Sequence, residues 1–254
     1  MNEVESTLLA CTDPSCGPEN GARCDACRLR SLCLPAGLQP NEIAVLEGII
    51  EYQRVIPAGT AVYHQDQPFT SLFAVLSGGV KTYQTLAEGK TSITGLHLPG
   101  ELFGFSGINQ AHYLTSAVAL QKSNICEIPF DELENLCREV PGLQSQLLHL
   151  MSHRINDYQQ HLRQLAADTT ATSRIAAFLL GLAHRSRRRG ESAVEFRLPA
   201  TGHDISNYLG IRFETFSRNL NDLVRSGVID KANRYITIVD REGLTRAVRA
   251  SSGD

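Results

Sequence analysis

No stretch of this sequence is apolar for long enough to cross a bilayer. The longest such run, Ile175 to Ala183, falls far short of the roughly 20 residues a spanning helix needs. No basic-then-apolar leader opens it, so no signal peptide, no membrane partner and a cytoplasmic location are expected. The clustered His and Glu of a barrel enzyme are missing as well. His64 and His97 stand alone in the sequence, and no paired carboxylates or nucleophile–base set is present, so enzymatic activity is not expected. Residues 1–40 lack the apolar surface for a core of their own. With Pro14, Gly17, Pro18, Gly21, Pro35 and Gly37 they read as an irregular arm, whose order a bound metal could supply.

Cysteine, by contrast, is plentiful: seven in 254 residues, five of them within residues 11–33. A cytosolic compartment disfavours a disulfide framework, which leaves metal or redox chemistry. Cys24, Cys27 and Cys33 form a C-x2-C-x5-C group on the arm, and Cys126 can join them from the following domain. Four thiolates suit zinc as well as an iron–sulfur cluster, so the residues alone leave both open. A zinc-stapled structural or metal-binding protein is therefore the alternative reading. Cys11 and Cys16 read as unattached arm thiols, and Cys137, beside Leu133 and Leu136, as a buried apolar residue.

Charge is unevenly spread. Residues 1–170 hold ten Lys and Arg against eighteen Asp and Glu, whereas residues 171–254 hold fourteen against nine. The acidic part repels DNA and the basic part attracts it. The pattern suggests four parts: the arm (1–40), a sensor domain (41–140), a long helix (141–170) and a DNA-binding domain (171–254). Residues 42–52 read as a short helix. From Val55 to Pro129, short apolar stretches such as Leu72–Leu76 and Ile93–Leu98 alternate with glycine turns at Gly59, Gly78, Gly89 and Gly100, the pattern of a β-roll or jelly roll. Residues 131–137 read as another short helix. After Pro141, Leu148, Met151, Ile155, Tyr158, Leu162 and Leu165 follow 3-4-3-4-3 spacing, a narrow seam suited to a partner helix in a homodimer.

Residues 173–184 read as an apolar helix, with Arg185 to Gly190 as an exposed loop after it. Thr201 is placed to cap a helix whose inward face is Ile205, Tyr208 and Leu209, and Asp204 suits its positive end. Gly210 supplies a turn. A second helix, from about Phe213 to Ser226, points Phe216, Leu220, Leu223 and Val224 inward. That is helix-turn-helix spacing for double-stranded DNA. Glu214, Ser217 and Arg218 share its exposed face. Arg218 can fork to guanine O6 and N7, Glu214 can accept from cytosine N4, and Ser217 can reach a base or phosphate. Val228–Ile229 and Tyr235–Ile238 read as a hairpin wing, with Lys231 and Arg234 in reach of phosphate.

Together these pieces resemble the Crp–Fnr superfamily, specifically its Fnr-type oxygen-sensing branch, from about Cys24 to Ile238. The resemblance is carried by Cys24-Asp25-Ala26-Cys27-Arg28-Leu29-Arg30-Ser31-Leu32-Cys33, Ser77-Gly78, Ile93 to Gly100, Cys126-Glu127-Ile128-Pro129-Phe130, Ala176-Ala177-Phe178, Asp204 to Gly210 and Glu214-Thr215-Phe216-Ser217-Arg218. It implies an α+β chain: a cysteine arm, a β-roll sensor, a long dimerisation helix and a C-terminal winged helix-turn-helix. It implies that Cys24, Cys27, Cys33 and Cys126 ligate an oxygen-labile [4Fe-4S] cluster. It further implies a dimer that binds a TTGAT-type palindrome and works with RNA polymerase, mainly to activate anaerobic genes. Loops at Thr85–Ser92 and Arg185–Glu191 are candidates for touching the polymerase.

The sequence also departs from its relatives. Cyclic-AMP-binding members carry Gly-Glu and, ten residues after that Glu, Arg-Ser. Here these places hold Gly104-Phe105 and Thr115-Ser116, so a nucleotide phosphate would lack its counter-charge and cyclic nucleotide binding is not expected. Phe105 reads as roll packing. Arg212 stands where many relatives have a capping hydroxyl, which weakens the cap and adds a possible phosphate contact. Phe213 stands where the cyclic-AMP-binding relatives have a second base-reading Arg and suits a thymine methyl. Tyr158 occupies the seam where some oxygen-responsive relatives have an acidic residue, and Asp157 lies beside it, off the seam.

Overall fold

The computed structural model describes residues 23–50, 52–86, 89–166 and 169–249. Cys11 and Cys16 lie outside them. After a 3-10 turn at Arg30–Leu32, helix α1 (Pro40–Ile49) begins two residues earlier than the pattern suggests. Pro40 fits the first helical position, where no N–H is needed, and the Glu42 carboxylate accepts the Gln39 N–H at 2.8 Å. The helix ends early because Ile50 turns extended and leads into a strand.

Eight strands follow: β1 (Tyr52–Ile56), β2 (Ala61–Tyr63), β3 (Ser71–Ser77), β4 (Val80–Thr85), β5 (Thr91–His97), β6 (Leu102–Phe103), β7 (Ser116–Ala119) and β8 (Ser123–Pro129). They form two antiparallel sheets, β1-β8-β3-β6 and β2-β7-β4-β5. The roll interior is aromatic. Tyr63 stacks on Tyr113 at 3.8 Å between ring centroids and on Phe73 and Phe103 at 5.5 and 6.2 Å.

Helices α2 (Phe130–Glu139), α3 (Pro141–Ala166) and α4 (Ala171–Arg188) come next. One face of α3 packs inward: Leu143, Leu147 and Leu150 share a core with Leu34 and Leu38 of the arm, Ile43 and Leu46 of α1, and Leu72, Ala74 and Ile128 of the roll. The arm thus borrows a core from its neighbours. A neighbouring face, about a quarter turn round the helix, carries the seam. Leu148, Ile155, Tyr158 and Leu162 are 60%, 53%, 43% and 61% exposed, whereas Met151 and Leu165 are half-buried.

The expected loop from Arg185 is instead the last turn of α4. The Arg185 guanidinium binds Glu101 and the Leu96 carbonyl of the roll, and the helix ends at Arg188, before Gly190 (φ +74°). The C-terminal part adds β9 (Glu195–Arg197), α5 (Gly202–Tyr208), α6 (Phe213–Arg225), β10 (Ile229–Ala232), β11 (Tyr235–Ile238) and α7 (Arg241–Arg249). Strand β9 gives the wing a third strand beside β11. Helix α7 buries Leu244, and its Val248 carbonyl accepts the Ser173 hydroxyl of α4 at 2.6 Å.

Candidate cluster pocket and nucleic-acid interface

The arm's cysteines sit on consecutive tight turns. Cys27 N–H bonds to the Cys24 carbonyl, Arg30 N–H to Cys27, Cys33 N–H to Arg30 and Ala36 N–H to Cys33. This winding carries three thiols to one side. Cys126 lies in β8, opposite Gln53 of β1 and Ala74 of β3. The small Ala74 side chain leaves room in front of it. Cys24, Cys27, Cys33 and Cys126 line a single small cavity, walled by Leu29, Leu34, Ile50 and Ile128. The lining residues carry four sulfurs and no carboxylate or imidazole; Arg30 also lines the cavity, and its Nη2 donates to the Leu38 carbonyl at 3.4 Å. Cys137, buried on α2, does not line it.

Burial, with the neighbouring thiols adding to it, pushes Cys24 up to about 12 and Cys126 higher still. Burial likewise pushes Cys33 up to about 12. Four thiolates cannot share this pocket without cationic charge between them, so ligation must expel protons. The donor chemistry suits a soft metal centre. Among the described residues, no three His, Cys, Asp or Glu are grouped as ligands of a single ion would be. Two further contacts seat the loop: Gln146 Nε2 of α3 donates to the Cys33 carbonyl at 3.0 Å, and Asp25 N–H donates to Glu47 of α1 at 3.0 Å. Neither Gln146 nor Glu47 had a signal in the sequence, because each is polar on a helix face that is otherwise unremarkable.

At the other end, Thr201 caps α5 by accepting the Asp204 N–H at 3.1 Å. Gly210 takes φ +63° in the turn, a backbone conformation that glycine enters without strain. Phe216, Leu220 and Leu223 bury the inner face of α6 against Ile205 and Leu209. Glu214 and Arg218 stay exposed, with Ser217 half-exposed between them. Arg212 holds the N-cap position without a side-chain cap bond, which leaves its guanidinium outside the helix. Phe213 stacks on His203 at 3.8 Å yet keeps 36% of its surface open. On the wing, Lys231 is exposed. Arg234 Nη2 donates to the Leu198 carbonyl at 3.1 Å. At the Thr85–Ser92 loop, residues 87 and 88 lie outside the described residues.

Ser116, beside Thr115, is buried and its hydroxyl accepts the Gln65 N–H at 2.9 Å. Phe105 starts a 3-10 turn after Gly104 (φ +100°) and packs against the core shared by arm and roll.

Two family models match the chain: the cyclic nucleotide-binding domain over residues 53–140 and the Crp-like helix-turn-helix domain over residues 173–247. The chain is 41% identical to electron transport regulator A of Shewanella oneidensis, covering 87% of this chain and 88% of that one. It is 41% identical to the transcriptional activator protein anr of Pseudomonas aeruginosa, covering 86% and 89%. It is 38% identical to the fumarate and nitrate reduction regulatory protein of Escherichia coli, covering 88% and 89%. Among solved structures, FixK2 from Bradyrhizobium japonicum matches with a TM-score of 0.70 at 25% identity, covering 79% of this chain and 98% of that one. With this identity along nearly the whole of its relatives, and with both family models matched, the chain belongs to the Crp–Fnr family of transcription regulators, among its FNR-type members, and is not an enzyme.

Proposed function

We propose that this regulator is switched by an oxygen-labile [4Fe-4S] cluster held by Cys24, Cys27, Cys33 and Cys126, and that it binds a TTGAT-type palindrome as a dimer. One observation carries the reading: four cysteines from two distant parts of the chain line one apolar cavity with no competing donor. When bound, such a cluster supplies iron that oxygen attacks. The thiols would tie the arm to β8, the apolar walls keep bulk water away, and Arg30 offsets negative charge. Without that tie, the Cys24–Cys33 loop keeps only its packing and its bonds to α1 and α3.

The exposed stripe of α3 supports the dimer, because four large apolar side chains face outward along one seam. Glu214, Ser217 and Arg218 would read base edges, Phe213 would meet a thymine methyl, and Arg212 and Lys231 would contact phosphate. The proposal includes RNA polymerase as working partner and excludes cyclic nucleotide. Thr115 offers no charge to a nucleotide phosphate where the cyclic-AMP-binding relatives carry arginine, and aromatic rings pack the roll interior.

Anaerobic purification followed by iron and sulfide analysis tests the reading. Wild-type protein should carry four iron and four sulfide per chain. Each of Cys24→Ser, Cys27→Ser, Cys33→Ser and Cys126→Ser should abolish them, while Cys137→Ser retains them. Full iron in Cys126→Ser, or stoichiometric zinc in place of iron, overturns it.

A further inference from the structure

The turn between β5 and β6 touches three parts of the molecule at once. Gly100 (φ +87°) lies directly under the cysteine loop. A Cβ built there would come within 3.1 Å of Leu32, the residue before Cys33. The next residue, Glu101, turns the other way. Its carboxylate accepts a fork from Arg185 on α4, with Nε and Nη2 both at 2.6 Å. The same carboxylate lies 3.8 Å from Arg154 Nη1 on α3. Backbone bonds fix the turn itself: Gly100 N–H to Val75 at 2.8 Å, Glu101 N–H to Leu98 at 3.0 Å and Val75 N–H to Glu101 at 3.1 Å.

The residues around this carboxylate are also committed. Arg185 Nη2 donates to the Leu96 carbonyl of β5. Arg154 donates to His97 Nδ1. Arginine has no acceptor, so that nitrogen must be unprotonated, and His97 Nε2–H is left to donate to Thr82 at 3.1 Å. A second tether lies nearby. Lys81 of β4 pairs with Asp204 of α5, the Ile93 N–H donates to Asn207 Oδ1 at 2.7 Å, and Asn207 Nδ2 donates to the Thr91 carbonyl at 2.9 Å. His161 of α3 stacks on Tyr208 of α5 at 4.1 Å. These contacts grip α4 and α5 and leave Glu214 and Arg218 exposed. The head is therefore held in a fixed posture with its reading face open.

We propose that Glu101 is a positioning residue that couples the cysteine loop to the DNA-binding head: Leu32 seats Gly100, and Glu101 holds Arg185 of the head and Arg154 of the long helix. The inference rests on the cluster reading above and adds the residues through which the cluster's presence reaches the DNA. A palindrome needs two heads at one separation and orientation. A loosened head keeps its contacts with one half-site but loses the effective concentration that brings the second head onto the other.

The test uses full-length protein, anaerobic and after air exposure, with two duplexes. One carries two TTGAT half-sites and the other has one half-site scrambled. Glu101→Gln should keep wild-type iron, sulfide and half-site affinity, while its preference for the two-site duplex falls by about tenfold or more. Air exposure should lower that preference in the wild type and leave it unchanged in Glu101→Gln. Arg185→Gln should match it, and the double variant should be no worse than either single change, which keeps the test open if one variant fails to fold. An unchanged two-site preference in Glu101→Gln overturns the proposal. So does an equal loss on both duplexes, which would place Glu101 in the head's own stability, or, when the wild type carries iron, an equal response of wild type and Glu101→Gln to air. A wild-type protein without iron still gives a measurable two-site preference for each variant, so that result sinks the cluster reading alone.

Discussion

Replacing Tyr158 by aspartate should turn the proposed dimer into a monomer once the proposed cluster is lost. Fully burying a large apolar side chain is worth about 1.5–3 kcal/mol, so a half-exposed one gains about 1 kcal/mol on pairing. Leu148, Ile155, Tyr158 and Leu162 are each between 43% and 61% exposed. Two such helices gain on the order of 8 kcal/mol from these side chains, so a change at one seam position removes a large share of the pairing energy. Tyr158→Asp removes about 1 kcal/mol of burial on each side and sets two carboxylates across the axis, where repulsion is about 2–4 kcal/mol at an effective dielectric near 20. Arg154, whose guanidinium lies 5.6 Å from the Tyr158 ring centre, would take up part of that charge. The net loss is then about 3–4 kcal/mol, a 100- to 1,000-fold rise in the dimer dissociation constant. Analytical ultracentrifugation of air-exposed protein at micromolar concentration reads this directly. Wild type should sediment mainly as a dimer with weak palindrome binding, and Tyr158→Asp as a monomer. Tyr158→Gln, polar but neutral, should fall between them and so separate burial from repulsion. Clean dissociation of wild type on cluster loss would refute the reasoning, because Tyr158 would then not be holding the seam.

Two further outcomes are expected. Arg218→Ala should cost about 1–3 kcal/mol on the palindrome and relax discrimination at one guanine, whereas Lys231→Ala should weaken all sequences about equally; an equal loss for Arg218→Ala on random DNA would make Arg218 a phosphate contact. Burial first, and then the Arg154 and Arg185 charges, hold His97 well below its ordinary 6.5. As pH falls below that value the unfolded chain takes up a proton that the folded chain does not. Stability should therefore drop by up to about 1.4 kcal/mol per pH unit from this group, and denaturant unfolding midpoints from pH 7.5 to 5.5 should fall less steeply in His97→Gln.

Much of the fold was legible because its signals are local. Glycines at the roll turns, the 3-4 spacing after Pro141 and the capped pair of helices around Gly210 each state their conformation within a few residues. What was missed depends on tertiary pairing. Strand β9 is three residues long and exists through its register with β11. Helix α7 carries a strongly charged sequence, and Leu244 becomes informative only once α4 lies against it. At the cysteine site the spacing named the ligand candidates, but not the residues that seat the loop. Gln146 is 113 positions from the carbonyl it binds.

Arg185 shows where such reading stops. In sequence it opens a basic run with Arg187, Arg188 and Arg189, and a run of like charge reads as solvated surface. The structure separates its members. Arg187 and Arg188 are exposed, but Arg185 reaches a carboxylate 84 positions away. Burial would favour a neutral Glu101, yet Arg185 and Arg154 outweigh it and hold the carboxylate below its usual range. The same pairing holds Arg185 charged against its own burial. A largely buried pair of this kind does little for net stability relative to an apolar contact, whereas losing one partner is costly. Its value lies in direction: a two-pronged fork fixes the angle between α4 and the roll, which apolar packing alone would allow to slide. A surface charge run would have no reason to keep that angle. A regulator that binds a palindrome as proposed, with two heads on two half-sites at one spacing, does.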